Sequence, residues 1–171
     1  YAFFRKSDNV VDTQNPTENQ DDQLESFKEQ AIGIEEPKDP VIEAFNEVRE
    51  SKDISDENIE SFIDSMKMDI EKNDYETYEE LESYMDGSAA AVGRMMTEII
   101  DPDQKEKALD HATSLGIAFQ MTNFLRDVGE DIDLYDRVYL PKSTRDRYNV
   151  TREDIENKNL NDRFKKLLEE E

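Results

Sequence analysis

Apolar side chains recur along this chain at helical spacing and almost nowhere alternate, so the pattern predicts an all-α protein. Residues 1–12 read as a helix carrying Phe3, Phe4, Val10 and Val11. Thr13 to Gln23 is polar, contains Pro16 and reads as a loop, and a short helix then extends to about Gly33. Residues 35–40 break the pattern. Pro40 suits the first position of a helix reaching about Glu50, where its missing N–H costs nothing. Between Asp53 and Asn73, Ile59, Phe62, Ile63, Met66 and Ile70 form one stripe of an amphipathic helix, with Ser55 or Asp56 as its cap. Thr77 and Glu80 have capping-box spacing and open a helix to Ile100, which Asp101-Pro102 ends. A further helix covers about Asp103 to Ile132, Leu134 to Tyr148 reads as a loop, and Thr151 to Glu171 reads as a charged helix. No repeat or Gly/Ser linker interrupts the pattern, so residues 1–171 read as one helical unit.

Composition changes this picture in two ways. Leu, Ile, Val and Phe make only 38 of 171 residues, which leaves little material for a large core. Acidic residues number 44 against 21 basic ones, a net charge of −23. So much like charge repels itself unless salt screens it, and the balance suits a halophile-like surface. It argues against a nucleic-acid partner, which needs a basic stripe. Cysteine is absent, so there is no disulfide framework or thiolate metal site. The longest stretch free of Asp, Glu, Lys and Arg, His111 to Leu125, is too short to span a bilayer. The chain begins in mid-helix without an initiator Met, and both ends read as cut.

Asp stands at i and i+4 twice, as Asp8/Asp12 and Asp127/Asp131, which places each pair on one helix face. Such pairs repel, and a hard cation that takes oxygen ligands removes the penalty. In so acidic a chain the spacing alone carries little weight. The surroundings carry more. From Leu115 to Leu125 the helix is apolar nearly all round, which predicts burial. Yet Gln120, Asn123, Asp127 and Asp131 form a single polar stripe along it, following Gly116 one turn earlier. Buried amides and carboxylates without partners cost several kcal/mol, so the stripe must face a polar network, a metal or a cavity. Arg5, Asp8 and Asp12 share a face of the first helix. Two such helices facing each other would set four carboxylates around a cavity suited to Mg²⁺ and diphosphate, with Arg5 and Arg126 as phosphate ligands. The small-residue run from Gly87 to Gly93, which follows Tyr84, would allow close helix packing, or leave room for a long apolar chain.

Those residues resemble the squalene/phytoene synthase family. Tyr1-Ala-Phe-Phe-Arg-Lys-Ser-Asp-Asn-Val-Val-Asp12 is similar to its first Asp-rich motif, and Leu115 through Asp131 to its second. Asp74-Tyr-Glu-Thr-Tyr-Glu-Glu-Leu, then Tyr84 and Ala91-Val-Gly93, resemble its middle helices, and Arg137-Val-Tyr-Leu-Pro141 its following segment. The likeness extends over about residues 1–155. Asp136 stands where the family's pattern has Gly, and the Asp131–Arg137 spacing is one residue long.

The resemblance implies an isoprenoid-synthase-type helical bundle around a central cavity, incomplete here because the family's first and last helices lie outside the chain. It implies Mg²⁺, with Mn²⁺ as a substitute, held with diphosphate by Asp8, Asp12, Asn123, Asp127 and Asp131. Arg5, Gln120, Arg126 and Arg137 would bind or orient diphosphate, and Tyr84 would line the reacting centre. The expected reaction joins two geranylgeranyl diphosphates to phytoene through a cyclopropyl diphosphate, without NADPH. The rival reading is squalene, dehydrosqualene or hydroxysqualene formation from farnesyl diphosphate. A non-catalytic assembly protein is the alternative from another class, though all four Asp are present. A head-to-tail prenyl synthase would carry adjacent aspartates, and position 9 is Asn. A cytoplasmic location is expected. A lipophilic product favours contact with the membrane surface, while the acidic charge opposes anionic lipid. Oligomeric state is left open.

Overall fold

A computed structural model of the chain describes residues 1–12, 19–159 and 161–170. The described residues form helices α1 (Ala2–Val11), α2 (Gln20–Ala31), α3 (Pro40–Lys52), α4 (Asp56–Glu71) and α5 (Tyr78–Met85). A π-helical turn (Asp86–Ala91) leads into α6 (Val92–Ile100). The long α7 (Lys105–Tyr135) follows, then the short α8 (Lys142–Arg147), α9 (Arg152–Glu156) and α10 (Asp162–Glu170). Among the described residues there is no strand, only an isolated bridge between Asp74 and Val138. No helix among the described residues is long and apolar enough to cross a membrane.

Local chemistry accounts for the starts of α3, α5 and α9. Asp39 accepts from the Val41 N–H at 2.8 Å, and Pro40 takes the first helical position of α3. Thr77 caps α5 through the Glu80 N–H at 3.3 Å, but Glu80 reaches back to the Glu76 N–H and to Lys72. Thr151 and Asp154 complete a reciprocal capping box on α9.

Several expectations need correction. The loop expected over residues 13–23 falls partly on residues 13–18, outside the described residues, and α2 already begins at Gln20. The amide of Gln20 donates to the Val10 carbonyl at 2.6 Å and ties α2 to the end of α1. The expected loop over Leu134–Tyr148 contains α8, and the expected terminal helix divides into α9 and α10, interrupted after Glu156 with Lys158 at φ 54°. The continuous helix to Ile100 is broken by the π turn. Its cause is contact: a Cβ on Gly87 would lie 2.3 Å from the Ser61 carbonyl oxygen of α4. The backbones touch, and the small-residue run lets them.

The same closeness recurs where the π turn and α6 meet α7. A Cβ on Gly116 would lie 2.6 Å from the Ala89 carbonyl oxygen. Three apolar clusters result. The first joins α1–α4 and α6, with Phe3 stacked on Phe45 and edged by Phe4. The second gathers Tyr75, Leu81, Tyr84, Met85, Met121, Phe124 and Tyr139. The third holds α8–α10 to the end of α7 through Ile132, Leu140, Val150 and Leu167.

The burial expected for α7 is the largest miss. Only Met121, Phe124 and Ile132 are buried, while Leu115 and Phe119 are 54% and 63% exposed. One side of α7 faces the bundle. The other borders an open apolar groove of about 380 Å³ with Val92, Met96 and Ile100.

These contacts predict opposite outcomes at two glycines. Gly87→Ala is expected to destabilise the protein by about 1–3 kcal/mol, since its Cβ meets backbone. Gly129→Ala, with nothing within 4 Å, is expected to stabilise it by about 0.5–1 kcal/mol. Urea denaturation of both variants checks the pair; equal midpoints would contradict the packing described.

Candidate active site

The ten residues singled out by the sequence, Arg5, Asp8, Asp12, Tyr84, Gln120, Asn123, Arg126, Asp127, Asp131 and Arg137, all line one cavity of about 720 Å³. It opens between α1 and α7. Helix α1 brings Arg5, Asp8 and Asp12 on one face; the Asp12 N–H still bonds the Asp8 carbonyl at 2.8 Å, so helical spacing persists to Asp12. From α7 come Gln120, Asn123, Arg126, Asp127 and Asp131, and α4 with α5 closes the floor through Asp69 and Tyr84.

Arg137 and Tyr139 arrive by a backbone clip. The Val138 N–H bonds the Asn73 carbonyl at 3.0 Å, and the Lys142 N–H bonds the Tyr75 carbonyl at 2.8 Å. Asp136, in the place of the family's Gly, sits at φ 56°, the left-handed region that Gly usually fills. Asp tolerates that conformation better than most residues. Its carboxylate is also held by Arg152 and by the Asn73 amide at 3.2 Å. The left-handed turn at the cap of α7 leads directly into Arg137, which reaches the cavity.

The electrostatics follow from crowding. Burial, then the Asp12 charge, pushes the Asp8 carboxyl up to about 6, against the pull of Arg5. Burial, then Asp127, pushes Asp131 up to about 7, with Arg137 opposing and Asp12 adding repulsion from α1. The two pairs therefore feel each other across the cavity. Arg126 clamps its neighbour Asp127 with two bonds of 2.7 and 2.6 Å and holds that carboxyl below the usual range. Arg137 is buried and bonds Asp12 at 3.1 Å. Burial works against its charge, but Asp69, Tyr139 and Asp12 outweigh that and push its pKa up. The polar stripe thus meets basic side chains as well as open cavity.

Sequence reasoning passed over Asp69 and Tyr139. Asp69 is 8% exposed and accepts from Tyr84 Oη at 2.7 Å and Tyr139 Oη at 2.9 Å. Burial pushes it up to about 6, against the positive charge of Arg137 and both phenol bonds. A signal existed, because Asp69 lies seven residues after Phe62 and three after Met66, on the apolar face of α4. Tyr139 stacks on Phe124 at 4.3 Å between centroids, and on Tyr84 at 5.5 Å.

Among the described residues no three acidic or His side chains close on a single point. Mg²⁺ keeps several waters and takes one or two carboxylates together with substrate phosphate. The oxygen-only donors, paired at i,i+4, with Asp8 and Asp131 raised by burial and then by a neighbouring carboxylate, suit such an ion on Asp8/Asp12 and on Asp127/Asp131.

An all-α bundle with two carboxylate helices lining one cavity is the isoprenoid-synthase arrangement, and solved structures agree. A dehydrosqualene synthase in complex with ligand superposes with a TM-score of 0.86 at 28% identity, over 99% of this chain and 59% of that one. Squalene synthase HpnC from Alicyclobacillus acidocaldarius gives 0.84 at 24% identity, over 98% and 63%. The squalene/phytoene synthase family model matches residues 1–171. This chain belongs to that family, one of prenyl-transferring synthases. Curated relatives include a 15-cis-phytoene synthase from Synechocystis, 29% identical over 98% of this chain and 53% of the relative. A phytoene synthase from Mycobacterium bovis is 31% identical over 88% and 49%. The chain spans about half the length of these curated relatives.

Raised carboxyls set a pH dependence. The folded state binds protons that the unfolded chain, with carboxyls near 3.8, has released. The stability they contribute is present below that value and lost as pH rises through 6 to 7. With chelator present, Tm should fall between about pH 5 and about pH 8, and Mg²⁺ should recover more of it at the higher pH. Asp131→Asn should flatten both responses. A variant that keeps the parent's full pH slope and Mg²⁺ response would contradict the assignment.

Proposed function

We propose that the intact protein is a Mg²⁺-dependent prenyltransferase that joins two geranylgeranyl diphosphates to phytoene. The observation that carries this is one cavity lined by five Asp and three Arg, with Glu130, Gln120, Asn123 and Ser88, and otherwise by aromatic and aliphatic side chains. The apolar groove between α6 and α7 shares Ser88, Val92 and Gln120 with that cavity, giving a long isoprenoid chain an apolar surface to lie along. The curated relatives' name, phytoene synthase, favours the C20 substrate.

The reaction begins when the allylic C–O bond of one substrate breaks and its electron pair leaves with diphosphate. The double bond of the second substrate attacks the resulting carbocation, and loss of a proton closes a cyclopropane. A second ionisation and rearrangement, ended by proton loss, yields the linear hydrocarbon. Mg²⁺, when bound, supplies Lewis-acid charge neutralisation and orientation of diphosphate.

The chain's own residues do the remainder. Asp8, Asp12, Asp127 and Asp131, with Asn123, hold the metal-binding end. Arg126 is exposed, and although two bonds join it to Asp127, so solvated a pair contributes little, and it can swing onto a phosphate. Arg5 is exposed and aims the same way, while Gln120 orients the diphosphate from α7. Arg137 is buried against Asp12 and acts in place, keeping the crowded carboxylates apart. Phe62, Met66, Tyr84, Phe124 and Tyr139 exclude the water that would quench a cation.

A second reading, dehydrosqualene or squalene formation from C15 diphosphate, is favoured by the names of the two solved structures. Incubating the intact protein with each diphosphate and Mg²⁺ and identifying the hydrocarbon separates them; a C30 product from the preferred substrate would sink the phytoene reading. Asp127→Ala should lower turnover by about 100-fold or more with helicity unchanged, the scale on which lost stabilisation of leaving-group charge acts. Near-normal turnover would refute the metal assignment.

A further inference from the structure

Asp69 belongs to neither Asp-rich helix, yet it is the most deeply buried acidic side chain at the cavity. A buried carboxylate is tolerated only when its oxygens are satisfied. Here both are: Tyr84 donates to Oδ2 and Tyr139 to Oδ1. Each phenol has a single proton, and both protons are committed to Asp69. Neither hydroxyl therefore has a proton to give to anything in the cavity, and what the two side chains offer there is ring face and oxygen lone pairs.

The rings are ordered by the same bonds. Phe124 and Tyr139 lie 13° from parallel, and Tyr84 and Tyr139 29° from parallel. A phenol that donates to a carboxylate gains electron density, and a cation over a ring face is held by the ring quadrupole. Burial and the Asp69 charge push the Tyr84 phenol well above its ordinary range, which keeps it a protonated donor.

We propose that Asp69 is a positioning residue for the condensation, anchoring Tyr84 and Tyr139 by their hydroxyls so that the aromatic wall presents an electron-rich, proton-poor face to the carbocation. This rests on the prenyl-transfer reading of the cavity. The competing step is capture by water, in which H₂O adds to the cation and loses a proton to give a prenyl alcohol. An anchored wall stabilises the cation and leaves water no place beside it. A released phenol does neither.

The test is Asp69→Asn in the intact protein, an isosteric change that removes the charge. With the C20 and C15 diphosphates and Mg²⁺, kcat should fall about 10- to 100-fold, the scale for groups that orient a reacting residue. KM should stay within about threefold, since no transition-state-only contact appears in substrate binding. The share of product appearing as prenyl alcohol should rise, and a tyrosine difference spectrum without substrate should show loss of the phenol–carboxylate bonds.

Tyr139→Phe keeps the ring and removes one bond. It should give a smaller kcat loss with the same drift toward alcohol, and it decides the matter if Asp69→Asn fails to fold. An active parent whose Asp69→Asn form, or in that event Tyr139→Phe form, keeps its kcat and product partition overturns the inference alone. A raised KM with unchanged kcat overturns it too, placing Asp69 in diphosphate binding. A parent that turns over neither diphosphate overturns the prenyl-transfer reading, and the inference with it.

Discussion

The carboxylates of Asp12, Asp69 and Asp131 crowd around one buried cation, the Arg137 guanidinium, and much of the site is arranged to keep that cation in place. Its position depends on the clip between residues 73–76 and 138–143 and on the left-handed cap at Asp136. Buried charge without partners would cost several kcal/mol, which is why a single guanidinium can organise elements far apart in sequence. One cation does not neutralise so many acids. Burial, and after it the remaining repulsion, raises the carboxyls of Asp8 and Asp131 and leaves a site with an electrostatic demand for added positive charge.

Backbone contact sets the shape of the cavity. Gly87 against α4 and Gly116 against the π turn bring three helical segments closer than side chains would allow. The π turn follows directly on Tyr84's helix and carries Ser88 to the point where the cavity and the apolar groove meet. A π turn at such a place fits the general tendency of these irregularities to mark functional sites. Polar chemistry and apolar space are thus adjacent because small residues permit the helices to touch.

Much of the site was legible from spacing. The stripe Gln120–Asn123–Asp127–Asp131 on an apolar helix demanded a polar destination, and the cavity is that destination. Arg5, Asp8 and Asp12 were legible by the same logic. Asp69 and Tyr139 were harder to read: the place of Asp69 on the apolar face of α4 was a signal, but one Asp among 44 acidic residues gives it little contrast, and the partnership spans 70 residues. The exposed side of α7 was misjudged because periodicity reports how apolar a helix is, not what stands opposite it. Leu115 and Phe119 are apolar and face open space.

The sequence by itself determined the helical class, the starts of α3, α4 and α5, the two carboxylate pairs and the family, since these rest on spacings within one or two turns or on contiguous motifs. Only the tertiary structure decided which acids share a cation, which phenols Asp69 anchors, where the helix before Ile100 yields to a π turn, and which face of α7 is covered. Those outcomes depend on distances between elements. Local propensity has no term for them, because a hydrogen bond or a backbone contact across the bundle exists only once the helices have packed.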